Sequence, residues 1–313
     1  MKIAFLDYKS LGEDIDLSEF SGLGEVVKYN LLTAEEVGGK LDDADIVIVN
    51  KLEINEKTIG RAQKLKLVCV TATGTNNLDK EYLASRGIEW RNVAGYSTDC
   101  VAQHTFALLF YLLEKLNYYD NYVKSGQYIA DKLFTHFGES FHELAGKTWG
   151  IIGMGEIGKR VAGIAEAFGC GVIYYSTSGK NNQQEYKRVE FHELLASSDI
   201  ISVHAPLNSR TEKLINKEAF LKMKRSAIFI NVGRGPIVVE EDLAWALETG
   251  EIAAAGLDVL VKEPMDSENP LLKVRDSRKL LITPHIAWAG AETRQRLMDI
   301  IERQIRGFIS ERG

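Results

Sequence analysis

The chain lacks the marks of several protein classes. It has three cysteines in 313 residues, Cys69, Cys100 and Cys170, too few and too scattered for a disulfide framework or a metal site, and no metal is expected. Each stands among apolar neighbours and reads as a small core residue of a protein kept in a reducing compartment, which makes the cytoplasm the expected location. There is no excess of positive charge: 38 Lys and Arg against 44 Asp and Glu leave a net charge of −6. Binding nucleic acid takes clustered cations on phosphates, so no such partner is expected, and basic doublets such as Lys187-Arg188 read as solvated surface. No apolar run reaches membrane-spanning length, so no membrane contact is expected. Residues 1–7 read as a strand ending in an acid, Asp7, with no secretory leader. Repeats and low-complexity tracts are missing too. What is present is an ordinary globular composition, 45% hydrophobic and 26% charged, in a chain long enough for two cores. Mild acidity leaves a small anionic substrate open, because such a substrate needs only one or two local positive charges.

Along residues 1–98, apolar runs at 2–7, 25–30, 45–50, 65–71 and 88–93 predict strands, and 18–20, 34–41, 55–64 and 79–86 predict helical stretches between them. That alternation predicts a parallel sheet covered on both faces. Residues 99–119 predict one long buried helix. Residues 120–147 show no clear period, which inside a compact protein marks a functional or interface segment. The alternation returns with strands at 148–152, 171–175, 200–203, 227–232, 254–259 and 280–283, and an amphipathic helix is expected over 292–309.

Ligands of open parallel sheets bind beyond the carboxyl ends of the strands. Six consecutive strands of the second half deliver small, polar or charged residues there. After the first comes Gly153-Met154-Gly155-Glu156-Ile157-Gly158, after the second Ser176-Thr177-Ser178, after the third His204-Ala205-Pro206, and after the fourth Gly233-Arg234-Gly235. Asp258 lies at the end of the fifth, and the sixth runs into Pro284-His285. The glycine motif follows a strand and opens a helix over 157–168, the context a dinucleotide site requires. Its first glycine permits the turn, the second lets backbone approach a pyrophosphate, the third allows helix and strand to pack closely, and the helix N-terminus offers unpaired N–H groups. The ribose position leaves two readings open. NAD sites usually carry an acid about 20 residues beyond the glycines; this chain has Ser176, followed by Thr177, Ser178 and Lys180. Without the carboxylate, an acceptor for the ribose 2′-OH is lost and so is a charge that repels a 2′-phosphate. Yet no arginine follows directly to clamp that phosphate. The reading leans slightly to NAD(H), with NADP(H) the alternative.

Arg234, Glu263 in Lys262-Glu263-Pro264 and His285 in Thr283-Pro284-His285-Ile286 follow the glycine motif in an order that resembles the D-isomer-specific 2-hydroxyacid dehydrogenase family. The resemblance covers nearly the whole chain. Val101-Ala102-Gln103-His104-Thr105, Gly256-Leu257-Asp258-Val259 and Pro284-His285-Ile286-Ala287-Trp288-Ala289 are similar to its hydroxypyruvate reductase and glycerate dehydrogenase branch. It implies an α/β fold of two doubly wound parallel-sheet domains: a Rossmann dinucleotide-binding domain over 99–286, inserted into a flavodoxin-like substrate and catalytic domain over 1–98 and 287–313. It implies reduction of a small 2-keto acid, such as hydroxypyruvate, glyoxylate, pyruvate or phenylpyruvate, to the D-2-hydroxy acid with NAD(P)H.

In such a reaction Arg234 offers a planar fork of donors for a carboxylate and the adjacent carbonyl. His285 can protonate that carbonyl oxygen, and Glu263 would hold the imidazole by its other nitrogen and favour the protonated form. By resemblance, Asp258 binds the nicotinamide carboxamide, Val232 and Gly233 line the nicotinamide pocket along with Arg234 and His285, and Ala72, Thr73 and Gly74 bind the substrate carboxylate through backbone N–H groups. Asn50 and Lys51 then stand near the substrate side chain. The turn His204-Ala205-Pro206 reads as lining the adenosine side, whereas His104, His136, His142 and His192 read as structural or solvated. A homodimer is implied, with 117–146 as a candidate arm. Two rivals stay open: a formate dehydrogenase, although that branch carries Gln at the position of Glu263, and a nucleotide-sensing protein like the related corepressors.

Overall fold

The computed structural model describes residues 1–182 and 185–312. The chain divides into two compact units, Met1–Ser97 with Ala289–Gly313, and Thr98–Trp288.

The first unit is built on five parallel strands, β1 (Lys2–Phe5), β2 (Glu25–Lys28), β3 (Ile46–Val49), β4 (Leu67–Val70) and β5 (Glu89–Arg91), in the order β2-β1-β3-β4-β5. This is the flavodoxin-like order. β3 and β4 are buried along their whole length, as their uninterrupted apolar residues predict for strands covered on both faces. Ala4, Val47, Val49, Val68 and Val70 pack on one side with Val37, Leu41, Ile59 and Leu83. The chain's last helix, Ala291–Ser310, belongs to this unit and buries Leu297, Ile301, Ile305 and Phe308. It is tied there by Arg91 Nη1 on Gln304 O at 3.1 Å, Gln304 Nε2 on Asn92 O at 2.9 Å and Arg294 Nη2 on Asp14 Oδ2 at 2.8 Å.

The second unit carries seven parallel strands: β6 (Thr148–Ile152), β7 (Gly171–Tyr175), β8 (Lys187–Arg188), β9 (Ile200–Val203), β10 (Ile228–Asn231), β11 (Ala254–Leu257) and β12 (Leu280–Ile282). Their order is β12-β11-β10-β9-β6-β7-β8, the doubly wound Rossmann order extended by one strand. Alternate residues feed two cores. Phe229 packs with Ile152, Val203 and Leu257 under helices Phe191–Ser197, Lys217–Lys222 and Glu240–Thr249, while Ile228 and Ile230 pack with Trp149 and Ile151 under Thr98–Leu113 and Glu156–Ala167.

Several local expectations are corrected. Residues 34–41 form successive turns instead of a helix, closed by Glu36 N on Thr33 O and Lys40 N on Val37 O; the Gly38-Gly39 pair weakens a helix, and Gly39 sits at φ +85°. The stretch 55–64 holds one helical turn, Glu56–Ile59, started by a capping box between Asn55 and Thr58. The single helix expected over 99–119 is two, Thr98–Leu113 and Leu116–Lys124, because Lys115 between them takes φ +54°. Lys187-Arg188 is exposed as expected but also pairs as the edge strand β8. Cys69 and Cys170 are core residues, whereas Cys100 is only half-buried. Among the described residues no helix is long and apolar enough to cross a membrane.

Candidate active site

In the seven-stranded sheet the strand order reverses between β6 and β9, and a parallel sheet opens a crevice at such a switch point. The loops that leave these two strands meet there. A Cβ on Gly153 would lie 2.9 Å from the Ala205 N and Cα, and Gly153 itself sits at φ +95°, so this close crossing of two backbones admits only glycine. The next glycine, Gly155, is the N-cap of helix Glu156–Ala167 and has nothing within 4 Å of the position its Cβ would take. Space and unpaired helix N–H groups therefore coincide at Gly155, as anion binding requires. The third, Gly158, would drive a Cβ to 2.3 Å from the Gly153 carbonyl oxygen; the helix packs on its own entry turn. Met154 is buried beneath the turn.

Ser176 is buried at the end of β7 and accepts from Asn181 N at 3.3 Å. Gly179 N closes a turn on Ser176 O at 3.1 Å. His204, after β9, turns its ring to Ser202, with Nε2 2.9 Å from Ser202 Oγ, which also accepts from Trp149 Nε1 at 2.9 Å. Its Nδ1 is buried without a partner among the described residues, and burial pulls its pKa down to about 3. The backbone of His204-Ala205 forms the crevice wall.

Arg234, Glu263 and His285 issue from the neighbouring strands β10, β11 and β12. Buried Asn231 clamps the Arg234 turn, accepting from Gly233 N at 3.0 Å and donating to Arg234 O at 3.0 Å. One Arg234 nitrogen, Nη1, donates to Gly233 O at 2.8 Å; the rest of the fork has no partner among the described residues. Gly235 presses on the loop that carries Glu263: a Cβ there would overlap the Leu260 carbonyl at 1.9 Å. That loop is held by the buried Glu240, which accepts from Val261 N and Asn269 Nδ2, each at 2.8 Å. Glu263 Oε1 accepts from Leu260 N at 3.1 Å, and its Oε2 lies 2.7 Å from His285 Nδ1. A carboxylate only accepts, so Nδ1 carries the proton in this pair and Nε2 is the ring nitrogen not bonded to Glu263.

Asp258 anchors the loop that carries His285. Its Oδ1 accepts from Thr283 Oγ1 at 2.6 Å and Ile286 N at 2.8 Å, and its Oδ2 from Ala287 N at 2.8 Å. His285 is thereby held at φ +57°, a conformation rare for residues other than glycine and often met at functional sites. His104, expected to be structural or solvated, lies with Nε2 2.9 Å from Thr283 Oγ1; burial lowers its pKa against the pull of Asp258. His136 stacks on Tyr122 at 3.7 Å.

In the first unit, the loops after β1, β3 and β4 are joined at their own sheet edge. Asp7, buried, accepts from Asn50 N at 2.9 Å and Lys51 N at 2.7 Å. Burial pushes its carboxyl above the usual range, opposed by those backbone N–H groups. Asn50 Nδ2 reaches Ser10 Oγ at 3.1 Å, and Asn77 Nδ2 spans Asn50 O and Leu52 O at 3.3 and 3.1 Å. In the loop Ala72-Thr73-Gly74, Thr73 is tied by its hydroxyl to Val93 O at 2.9 Å. Asp7→Ala is expected to lower the urea-unfolding free energy by about 2 kcal/mol, because the buried N–H of Asn50 and the part-buried N–H of Lys51 lose their acceptor. A loss below about 0.5 kcal/mol would remove Asp7 from this role.

Asn231, Glu240, Asn77 and Ser10 carry no sequence signal of their own, being single polar residues in ordinary contexts. Asp7 was visible as an acid at a strand end, but its partners lie 43 and 44 positions away. Among the described residues no group of three His, Cys, Asp or Glu side chains is placed to hold a metal ion.

The family described as D-isomer specific 2-hydroxyacid dehydrogenase, NAD binding domain, matches residues 106–287. A hydroxypyruvate reductase of Blautia hydrogenotrophica is 38% identical over 99% of this chain and 97% of its own. A glycerate dehydrogenase of Methylorubrum extorquens is 36% identical over 99% of this chain and 96% of its own. The crystal structure of the TT0316 protein from Thermus thermophilus superposes with a TM-score of 0.89 at 29% identity, covering 100% of this chain and 98% of that one. The chain belongs to the D-isomer specific 2-hydroxyacid dehydrogenase family and is an NAD(P)-dependent oxidoreductase.

Proposed function

We propose that this protein reduces a small 2-keto acid of the hydroxypyruvate or glyoxylate type to the D-2-hydroxy acid, with His285 as proton donor, Arg234 as substrate clamp and Glu263 as the group that holds the imidazole. The observation that carries this reading is the 2.7 Å pair between His285 Nδ1 and Glu263 Oε2, on a loop adjoining the turn of Arg234. The dinucleotide fits the residues present. Gly155 opens on empty space at a helix N-terminus, and the orphaned His204 Nδ1 lies beside the crevice. Gly153, Met154, Gly155, Glu156, Ile157 and Gly158 would hold the pyrophosphate, Ser176 and Thr177 the ribose, His204, Ala205 and Pro206 the adenosine side, and Val232, Gly233, Arg234 and His285 the nicotinamide end. Asp258 Oδ2 accepts from Ala287 N, and a carboxylate oxygen can take a second bond, which suits a carboxamide N–H. When bound, the reduced nicotinamide supplies the hydride.

Arg234 aligns and polarises the keto acid through its remaining N–H groups. The protonated His285 gives its Nε2 proton to the carbonyl oxygen as the alkoxide charge develops, and Glu263 stabilises the imidazolium before that transfer. In oxidation the same nitrogen takes the proton back. Asn50, Lys51 and the backbone of Ala72, Thr73 and Gly74 are assigned to substrate contact on the strength of their place at the carboxyl edge of the five-stranded sheet.

The test is turnover of hydroxypyruvate, glyoxylate, pyruvate and phenylpyruvate with NADH and NADPH, followed by chiral chromatography of the product. A D-2-hydroxy acid is expected. Cofactor binding without turnover of any keto acid would favour a sensor. We also infer a homodimer through 117–146, where the large apolar side chains of Ile129, Leu133, Phe134 and Phe137 are each largely exposed, as expected of a segment that associates. Sedimentation equilibrium giving only monomer at micromolar concentration would refute it.

A further inference from the structure

We infer that the turn after β7 is built to receive a 2′-phosphate, so that the protein selects NADPH over NADH; this rests on the dinucleotide reading above and adds the choice of cofactor. Ser176-Thr177-Ser178-Gly179-Lys180-Asn181-Asn182 contains no acidic residue at the strand end where an adenosine ribose is recognised. The sequence alone leans to NAD because no arginine adjoins Ser176. The fold supplies two from elsewhere. Arg210, from the loop after β9, donates from Nη1 to Ser178 O at 3.1 Å. Arg188, from the edge strand β8, donates from Nη1 to Gly179 O at 3.2 Å and to Asn182 Oδ1 at 2.7 Å. The two guanidiniums thus cap adjacent carbonyls of a single turn.

Among the described residues each arginine keeps its Nε and Nη2 hydrogens unspent. Among those residues, too, neither guanidinium, nor the Lys180 ammonium, has a carboxylate partner, although the chain as a whole carries six more acids than bases. Three such cations around one acid-free turn create a local field that suits a dianionic phosphate. Ser176, buried and already accepting from Asn181 N at 3.3 Å, can hydrogen-bond a ribose but carries no charge to repel a 2′-phosphate, as a carboxylate at that position would. The Arg210 position is fixed by its own N–H, which donates to Asn208 Oδ1 at 2.9 Å.

The experiment uses the full chain. Calorimetric titration with adenosine 2′,5′-bisphosphate and with 5′-AMP reads the subsite without turnover, and kcat/KM for NADPH and NADH reads it with turnover. The bisphosphate is expected to bind at least about 30-fold tighter than 5′-AMP, and Arg210→Ala and Arg188→Ala each to reduce that preference about 10-fold while NADH kinetics stay within about 2-fold. Equal affinity for the two nucleotides, NADH used as well as NADPH, or a preference that survives both substitutions would overturn the inference and leave the dehydrogenase reading intact. Absence of binding by either nucleotide together with absence of turnover would overturn both.

Discussion

His285→Ala is expected to lower kcat for keto-acid reduction by about 10²- to 10⁴-fold, the range lost when a positioned proton donor is removed. Cofactor affinity is expected to stay within about 3-fold, since the ring is only one of many groups proposed to hold the nicotinamide end. The physical basis is the tautomer. Glu263 Oε2 at 2.7 Å fixes the proton on Nδ1, which leaves Nε2 for the proposed proton transfer, and the backbone that carries the ring is pinned by two N–H bonds to Asp258. Glu263→Gln is the companion variant. It can keep the Leu260 N contact and still weaken kcat, because a neutral amide supports an imidazolium less well. Steady-state kinetics with a cofactor titration by fluorescence separate the two quantities. A His285→Ala enzyme that retains kcat within about 3-fold would mean the proton comes from another group.

Acid is expected to destabilise the second unit through His204 before the bulk of the carboxylates titrate. A histidine held neutral by burial has its folded pKa, about 3, below the unfolded value of about 6.5. Its contribution is therefore complete above about pH 6.5 and is lost as pH falls from there toward 3, since the unfolded chain binds the proton first. Between pH 8 and pH 5 this amounts to about 2 kcal/mol. His104, lowered by burial in the same sense, adds to the slope. Urea-unfolding free energies of the wild type and His204→Asn at both pH values isolate the effect: the variant should lose about 2 kcal/mol less over that interval. Parallel losses in the two proteins would show that His204 is not the titrating group.

The five- and seven-stranded sheets were legible because strands covered on both faces read as unbroken apolar runs, and β3, β4, β9 and β10 do so in the plainest form. Helices were less legible. The 99–119 run has helical composition throughout, yet Lys115 breaks it, and no local preference marks that lysine. The segment 34–41 shows the converse: buried Val37 and Leu41 keep a helical spacing on a chain of turns.

For the site, a one-dimensional pattern was enough wherever a residue's task is done by its own backbone or its own place at a strand end. The turn at Gly153, the helix opened at Gly155, and the delivery of Arg234, Glu263 and His285 to the carboxyl ends of consecutive strands follow from chain order, because parallel strands joined by right-handed crossovers all end on one edge. What only the tertiary structure decided are the partnerships between distant positions. Asp7 with Asn50, Glu240 with Asn269, Asp258 with the His285 loop, and Arg188 and Arg210 with the turn after β7 are choices of that kind. Hydrogen bonds and ion pairs form wherever packing leaves a donor facing an acceptor, and that facing is set by how helices and loops seat on the sheet, over separations that no local spacing rule encodes.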